Sequence, residues 1–334
     1  MEKRLFQKIL IIRFSSIGDI VLTTSVVRNL RKSYPNAEIH FLTKKHFTQL
    51  LAANPYIDQI HGFDGDLKAT IQEFRKVGFD LIVDLHKNLR SARVKWALGG
   101  KKISFEKKNW KKFWLVRRKK INGKIGHIVD RYEDSLAELG IQVDGQGLDF
   151  FLPKEAESQA AEILQNQGFS NHQKALAVVL GATYYTKRWL PQHFIDTLNY
   201  LKIPVILLGG NDSREEADMI INKVQVPILD AVGKYNIPVA AALMKSCTAV
   251  LTHDTGFMHI AAAFKMKVFS LWGSTVPEFG MTPYLTEHFI LENKDVNCRP
   301  CSKLGHHTCP LGHFDCMNKL KPEVVVKTIQ AHLP

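Results

Sequence analysis

Residues 8–19 read Lys-Ile-Leu-Ile-Ile-Arg-Phe-Ser-Ser-Ile-Gly-Asp, and this stretch decides the fold class. It opens with a short aliphatic run, typical of a strand buried on both faces. The polar turn of residues 15–19 follows, and helical spacing then continues through Leu30. A strand, a tight turn and a helix in this order form the first half of a βαβ unit, which indicates a parallel sheet.

The same alternation of short apolar runs and amphipathic stretches continues along nearly the whole chain. Further strands are predicted at residues 38–43, 59–63 and 79–86, and a second series at 175–181, 205–209, 228–232, 249–253 and 268–272. The sequence therefore predicts an α/β protein with two doubly wound domains, residues 1–170 and 171–334. Such domains bind ligands at the carboxyl ends of their strands.

The composition narrows the class of protein. The chain has 334 residues and a formal net charge of +13, with 45% hydrophobic and 23% charged residues. It is too apolar to be disordered, and its longest apolar runs fall short of the roughly 18 to 20 residues that span a bilayer. Arg13 interrupts the first apolar stretch, which argues against a signal peptide. We therefore expect a globular cytoplasmic protein.

Asp19 ends the polar turn after the first predicted strand and lies in the first turn of the helix that follows. A carboxylate beside free backbone N–H groups at the mouth of a sheet suits a catalytic site. A carboxylate in a first helical turn also complements the helix dipole without any catalytic role. Spacing alone leaves both interpretations open.

Thr183 and Lys187 follow the strand predicted at 175–181. A hydroxyl and an ammonium beside a strand end suit an anionic ligand such as a diphosphate. A solvated basic loop is the alternative.

Asp254, Thr255 and Gly256 stand between the strand at 249–253 and a helix of small residues. The turn exposes backbone donors, as a phosphate site requires, although Asp254 also fits an ordinary helix N-cap. His259 fits a core histidine as well as a ligand. The glycine turn at Gly209 lacks the spacing of a dinucleotide fold or a P-loop, which weakens dehydrogenase and kinase interpretations.

The segment of residues 101–124 holds eleven basic residues and one acidic residue, with Phe105, Trp110, Phe113 and Trp114 interleaved. This pattern favours an amphipathic element at an anionic membrane surface. A nucleic-acid patch or a solvated loop would have a similar composition.

Four cysteines near the end of the chain are spaced as Cys298-x2-Cys301-x7-Cys309-x6-Cys316. Four thiols can hold Zn²⁺ tetrahedrally. The second pair lacks the tight spacing of a zinc ribbon, so reduced, packed thiols are the alternative to structural zinc.

In their order, these motifs resemble those of glycosyltransferase family 9, the ADP-heptose:lipopolysaccharide heptosyltransferases. Residues 15–19 are similar to the family's S-S-x-G-D, and Asp84-Leu85 with Arg90-Ser91-Ala92 to its D-x-q-x-x-x-r-S-a segment. Residues 254–262 are similar to its D-T-G-x-x-H-x-A-A, and residues 272–277 to its f-G-x-T-x-P. The likeness spans residues 8 to about 330.

The resemblance implies a GT-B fold, two Rossmann-like domains facing a central cleft, with the acceptor bound mainly by the first and the nucleotide-sugar by the second. It implies an inverting, metal-independent transferase that moves a heptose from ADP-heptose to the lipopolysaccharide inner core, a lipid A–Kdo or heptosyl acceptor, without a cofactor. Asp19 matches the general base. We expect donor contacts from Thr183, Lys187, Gly209, Asp254, Thr255, Gly256 and His259, and acceptor or membrane contacts from Ser15, Ser16, Lys111, Lys112, Arg117 and Arg118.

An anionic glycolipid acceptor would account for the basic segment of residues 101–124. The resemblance therefore places the enzyme at the cytoplasmic face of the inner membrane, with no nucleic-acid partner.

Two features keep other functions open. Where the family commonly carries S-L-x-E, this chain has Asn236-Ile237-Pro238-Val239, without the carboxylate that would hold a ribose. A same-fold transferase using another nucleotide-sugar, or an epimerase that needs no acceptor, is therefore an alternative. The basic segment also fits a non-catalytic protein that binds membrane or nucleic acid.

Overall fold

The computed structural model describes residues 5–120, 125–169 and 174–333, which form two parallel sheets. The strands are β1 (Lys8–Ile12), β2 (Glu38–Lys44), β3 (Gln59–Phe63), β4 (Leu81–Asp84), β5 (Lys101–Ser104), β6 (Leu176–Val179), β7 (Val205–Leu208), β8 (Ile228–Asp230), β9 (Ala249–His253), β10 (Lys267–Trp272) and β11 (His288–Glu292). Every predicted strand is present, and β5 and β11 are two that the sequence analysis missed.

Most of the helices lie between successive strands, and the last two, α12 and α13, follow the final strand. They are α1 (Ile17–Val21), α2 (Thr24–Ser33), α3 (Leu67–Val77), α4 (Leu89–Ala97), α5 (Asn109–Arg118), α6 (Ile128–Glu133), α7 (Lys154–Asn166), α8 (Pro191–Leu201), α9 (Arg214–Ile221), α10 (Ile237–Lys245), α11 (Gly256–Ala263), α12 (Asp315–Asn318) and α13 (Pro322–His332). Among the helices described, none combines the length and the apolar character that crossing a membrane requires.

The first sheet has the strand order β3-β2-β1-β4-β5, and all neighbouring strands are parallel. Leu10 and Ile12 of β1 are fully buried and pack into an apolar core with Phe14. The strand order reverses at β1, because β2 lies on one side of it and β4 on the other. Ligands bind at such a switch point, beyond the carboxyl ends of the strands. The turn of residues 15–19 leaves β1 at this place.

The second sheet has the order β11-β10-β9-β6-β7-β8 and is also parallel throughout. Here the order reverses between β6 and β9, which pair directly. The loops that follow these two strands therefore flank the switch point. These are the loops that carry Lys187 and Asp254. Two doubly wound parallel-sheet domains are confirmed.

The two compact units are not continuous in sequence. One comprises the chain up to Lys107 with His127–Phe151, and the other comprises Lys108–Gly126 with the chain from Leu152 onward. The boundary expected between residues 170 and 171 falls outside the described residues, and the units divide earlier. The reason is that α7 packs against α10 of the second unit.

The sequence analysis predicted that the basic segment of residues 101–124 forms a single amphipathic element. This prediction is wrong, because the segment is divided between the two units. Its start forms β5, the edge strand of the first sheet, whereas α5 belongs to the second unit. Buried Leu115 anchors α5 against Val276 and Phe279. Residues 121–124 of this segment lie outside the described residues.

Candidate functional site

Asp19 is the third residue of α1, whose N-cap is Ser16. Its Oδ2 accepts hydrogen bonds from the Ser16 backbone N–H at 3.2 Å and from the Ser16 hydroxyl at 3.0 Å. The bond from the Ser16 N–H is the half of a capping box in which the third helical residue accepts from the N-cap, so the local sequence alone places the carboxylate at the helix start. Asp19 therefore does lie where a carboxylate complements the helix dipole, but these contacts involve only Oδ2 and leave the position of Oδ1 unexplained.

The other oxygen of Asp19, Oδ1, lies 2.7 Å from Nη2 of Arg13 in an ion pair. Burial is the largest influence on the pKa of Asp19 and acts to raise it, but the Arg13 charge and the Ser16 hydrogen bonds together outweigh burial and lower the pKa. The carboxylate is therefore ionised at neutral pH and held at both oxygens.

The loop after β4 borders the same switch point. Burial, with the nearby charges of Arg13 and Lys107, lowers the pKa of His86 to about 4, so the imidazole is neutral at pH 7. Asp84, which begins the second family-like motif, accepts hydrogen bonds from the backbone of His86 and from Ser91. Its carboxylate thus shapes this turn.

In the second unit, Nζ of Lys187 lies 2.7 Å from Oδ2 of Asp254 and 3.3 Å from the Asp254 carbonyl oxygen. The Thr275 hydroxyl donates to the same Oδ2 at 2.9 Å. Lys187 ends a one-turn helix after β6, and Asp254 directly follows β9. The two loops of the switch point are therefore joined by an ion pair between residues that are far apart in sequence.

His253 connects the same two loops from beneath. The Trp189 N–H donates to its Nε2 at 2.8 Å, so its Nδ1 carries the proton and donates to the Gly181 carbonyl at 3.1 Å. Gly181 has φ +74°, a left-handed conformation that favours glycine. Burial lowers the pKa of fully buried His253 to about 4, which keeps the ring neutral and suited to this pairing.

The remaining predicted donor residues lie near the carboxyl ends of the second sheet. Thr183 is exposed after β6, Thr255 is the N-cap of α11 before Gly256, and His259 is buried within that helix. Gly209 follows β7, one strand further along the sheet, and its carbonyl accepts the Gly233 N–H.

The residues predicted for acceptor or membrane contact are divided between the two units. Ser15 and Ser16 lie beside Asp19 in the first unit. The other four, Lys111, Lys112, Arg117 and Arg118, belong to α5 in the second unit.

The four cysteines of the zinc alternative lie in one segment of the second unit, between Cys298 and Cys316. Across residues 5–120, 125–169 and 174–333, the structure arranges no three Cys, His, Asp or Glu side chains to hold a metal. Cys316 is buried, whereas Cys298, Cys301 and Cys309 are half-buried, and Cys301 donates to the Cys298 carbonyl at 3.5 Å.

Arg299, between the first two cysteines, connects their segment to the loop that contains Thr275. Its buried guanidinium donates to the carbonyls of Gly273 and Thr275 and pairs with Glu292 at 2.8 Å. This fixes the loop from which Thr275 reaches Asp254.

Sequence reasoning missed Arg13, His253, Thr275 and Arg299 as parts of these sites. A signal was present for Arg13, because a charged side chain at the end of a fully buried strand requires a partner. Thr275 lies in the family-like motif of residues 272–277 and His253 directly precedes Asp254, but their contacts could not be predicted, because the partners of these residues and of Arg299 lie far away in sequence.

A family model, "Glycosyltransferase family 9 (heptosyltransferase)", matches residues 67–312. Lipooligosaccharide heptosyltransferase 2 of Haemophilus influenzae is 24% identical over 350 residues, covering 96% of this chain and 98% of that protein. The Campylobacter jejuni protein of the same name is 29% identical over 201 residues, covering 58% of this chain, and the match spans only 60% of its length.

Among solved structures, the E. coli ADP-heptose lipopolysaccharide heptosyltransferase II superposes with a TM-score of 0.76 at 20% identity, covering 98% of each chain. This likeness supports the GT-B fold that the sequence implied. Because the family model matches residues 67–312, well over half of the 334 residues of this chain, the chain belongs to glycosyltransferase family 9.

Proposed function

We propose that this protein is an inverting heptosyltransferase that transfers the heptose of ADP-heptose to the inner core of lipopolysaccharide, on a lipid A–Kdo or heptosyl acceptor. Family membership supports the reaction class, and the names of the Haemophilus and E. coli proteins support the sugar and the acceptor. The observation that carries the proposal is the ionised Asp19 carboxylate, held at the switch point of the first sheet.

In the proposed step, Asp19 acts as the general base. Its carboxylate takes the proton of the acceptor hydroxyl while the hydroxyl oxygen forms a bond to the anomeric carbon of the heptose. The bond from that carbon to the diphosphate oxygen breaks, and its electron pair leaves with ADP. A single displacement of this kind inverts the anomeric configuration.

On the donor side, Lys187 is the proposed partner of the diphosphate. Nζ of Lys187 lies 2.7 Å from Oδ2 of Asp254, and a bound diphosphate would give this ammonium a second anionic partner. Thr183, Thr255 and the N–H groups at Gly256 supply further donors at the carboxyl ends of β6 and β9. Negative charge grows on the leaving phosphate, so these groups stabilise the transition state more than the ground state. His259 in α11 and Gly209 after β7 are proposed to support the fold around the donor site.

For the acceptor, Ser15 and Ser16 are the proposed contacts beside the base. We assign α5 to the anionic lipid surface at the cytoplasmic face of the inner membrane. Trp110 is 75%, Phe113 47% and Trp114 42% exposed, and the Arg118 guanidinium lies over the Trp114 ring. Exposed aromatic rings interleaved with basic side chains match the interface of an anionic bilayer. Trp110→Ala is expected to weaken sedimentation with phosphatidylglycerol vesicles, and unchanged sedimentation would contradict this assignment.

One observation favours a different nucleotide-sugar as the second candidate. Where the family commonly has a ribose-binding carboxylate, Asn236 caps α10 by accepting the Val239 N–H at 3.0 Å, and Pro238 is buried. A donor must therefore be recognised here without that carboxylate. Calorimetric titration with ADP-heptose, ADP, GDP and UDP distinguishes the candidates. Tighter binding of GDP or UDP than of ADP would indicate a donor other than ADP-heptose. If no nucleotide binds, a non-catalytic basic protein would be favoured.

The catalytic test is heptose transfer from ADP-heptose to lipid A–Kdo, followed by mass spectrometry of the product. Asp19→Asn is expected to lower turnover by about 10² to 10⁴-fold, the usual contribution of a general base, without changing ADP affinity. Asp66→Asn is a matched control, because Asp66 also caps a helix of the first unit, α3, but away from the switch point. Near-normal turnover of Asp19→Asn would remove the base assignment.

A further inference from the structure

We propose that Arg13 is the positioning residue of the base: it holds Oδ1 of Asp19, so that Oδ2 is the oxygen presented to the acceptor hydroxyl. This inference rests on the proposed catalytic role of Asp19.

The Arg13 guanidinium makes four hydrogen bonds to three parts of the first unit: the turn of residues 15–19, the end of β4 and α6. Nε donates to the Ser15 carbonyl at 2.8 Å, and Nη1 donates to the Leu85 carbonyl at 2.6 Å and to the Tyr132 hydroxyl at 2.9 Å. Nη2 pairs with Asp19 at 2.7 Å. The side chain is only 10% exposed. A planar fork fixed at this many points cannot turn without leaving buried groups unpaired.

The two oxygens of Asp19 are consequently not equivalent. Oδ1 faces a buried cation that is itself fixed by three other bonds. The partner of Oδ2 is Ser16, an exposed residue, through contacts of 3.0 and 3.2 Å. The 3.2 Å contact comes from the Ser16 backbone N–H and is fixed, but the 3.0 Å contact comes from the Ser16 hydroxyl, which rotates about one bond and is easily redirected. Redirecting the hydroxyl frees one acceptor position of Oδ2 for an acceptor hydroxyl.

Electrostatics gives the inference a measurable signature. Burial opposes ionisation of Asp19, and Arg13 is the leading charge that favours it, so loss of Arg13 raises the pKa of Asp19. The other groups that face this pair are Tyr132, Asp84, His86 and Lys107. A base works only when deprotonated, and therefore a higher pKa moves the acid limb of the kcat profile to higher pH.

The decisive experiment is the pH profile of heptose transfer from ADP-heptose to lipid A–Kdo by Arg13→Gln and Arg13→Lys. Arg13→Gln is expected to lower kcat by about 10²-fold, the cost of misplacing a reacting group. Its acid limb is expected to rise by about one pH unit or more, as loss of an adjacent opposite charge predicts. The KM for ADP-heptose stays unchanged, and Arg13→Lys, which keeps the charge, restores most of the acid limb but little of kcat.

Arg28→Gln separates positioning from mere structural support. Arg28 is also a buried arginine of the first unit with several bonds, pairing with Asp144 and Asp149. Its loss is expected to lower the melting temperature without moving the acid limb.

The outcomes distinguish this inference from the proposed function. An acid limb that does not move in Arg13→Gln, while Asp19→Asn is inactive, overturns the positioning role alone. Full activity of Asp19→Asn overturns both. If Arg13→Gln does not fold, Tyr132→Phe, which removes one anchor of Arg13, is expected to lower kcat several-fold, and unchanged kcat would overturn the inference.

Discussion

The two switch points each hold a carboxylate paired with a cation, but the pairs are built differently. In the first unit, Arg13 is buried and makes three further bonds besides the one to Asp19. In the second unit, Lys187 meets Asp254 through a single ammonium, and Thr275 gives that carboxylate a second partner. The cation is the fixed member of the first pair, and the carboxylate is the better-anchored member of the second.

This difference fits the two proposed tasks. A base has to stay in one place while protons come and go, and a guanidinium fork provides that constraint. A donor-binding cation has to exchange one anionic partner for another in every cycle. A point charge on a flexible stem can do so, and Asp254, held by Thr275, stays in place when Lys187 turns toward a phosphate.

Removing the Lys187 ammonium is expected to have the largest effect on ADP binding. Lys187→Ala should weaken ADP binding by about 10 to 10²-fold, the value of a hydrogen bond between charged groups. Calorimetry on Lys187→Ala and Asp19→Ala measures it, and Asp19→Ala should bind ADP as the wild type does. An ADP dissociation constant within twofold of the wild-type value in Lys187→Ala would refute the contact.

The contacts of His253 beneath the loops of Lys187 and Asp254 are expected to affect the stability of the fold rather than ADP binding. His253→Leu leaves the Trp189 N–H and the Gly181 carbonyl buried without their partner, which should lower the free energy of unfolding by about 1 to 3 kcal/mol for each group. Urea unfolding measures this, with exposed His46→Leu as the control. Equal unfolding free energies of the two variants would show that His253 does not stabilise the loops.

A third comparison between the two units uses the pH dependence of stability. His86 in the first unit and His253 in the second each have a pKa of about 4 in the folded protein, because loss of contact with water disfavours the charged ring in both, with the charges of Arg13 and Lys107 adding to this effect at half-buried His86. An unfolded histidine titrates near 6.5, so the unfolded state binds more protons between these values, and stability is lost as the pH falls below about 6.5. Each histidine contributes up to about 1.4 kcal/mol per pH unit.

Urea unfolding at pH 7 and pH 5 tests this, with His86→Asn and His253→Asn. Each substitution should reduce the loss of stability on acidification, and an unaltered pH dependence in both variants would contradict the assignment of these two groups.

Much of the local structure could be predicted from the sequence. The helix start at Ser16 and Asp19 follows from a polar turn between a buried run and helical spacing, and the start at Gly256 follows from the same pattern. The partners of Arg13 could not be predicted, since Leu85 and Tyr132 lie 72 and 119 residues away in sequence. The edge strands β5 and β11 were missed because the first is basic and the second only partly buried.

By itself, the sequence determined two α/β repeats and the strand ends at which polar residues stand, because hydrophobic periodicity and turn chemistry act over a few neighbouring residues. Tertiary structure alone decided which of those residues meet. It paired Lys187 with Asp254, gave Arg13 its distant anchors, and assigned α5 to the second unit although it follows a strand of the first. The physical reason is that sheet order, which only long-range packing sets, determines which loops become neighbours at a switch point.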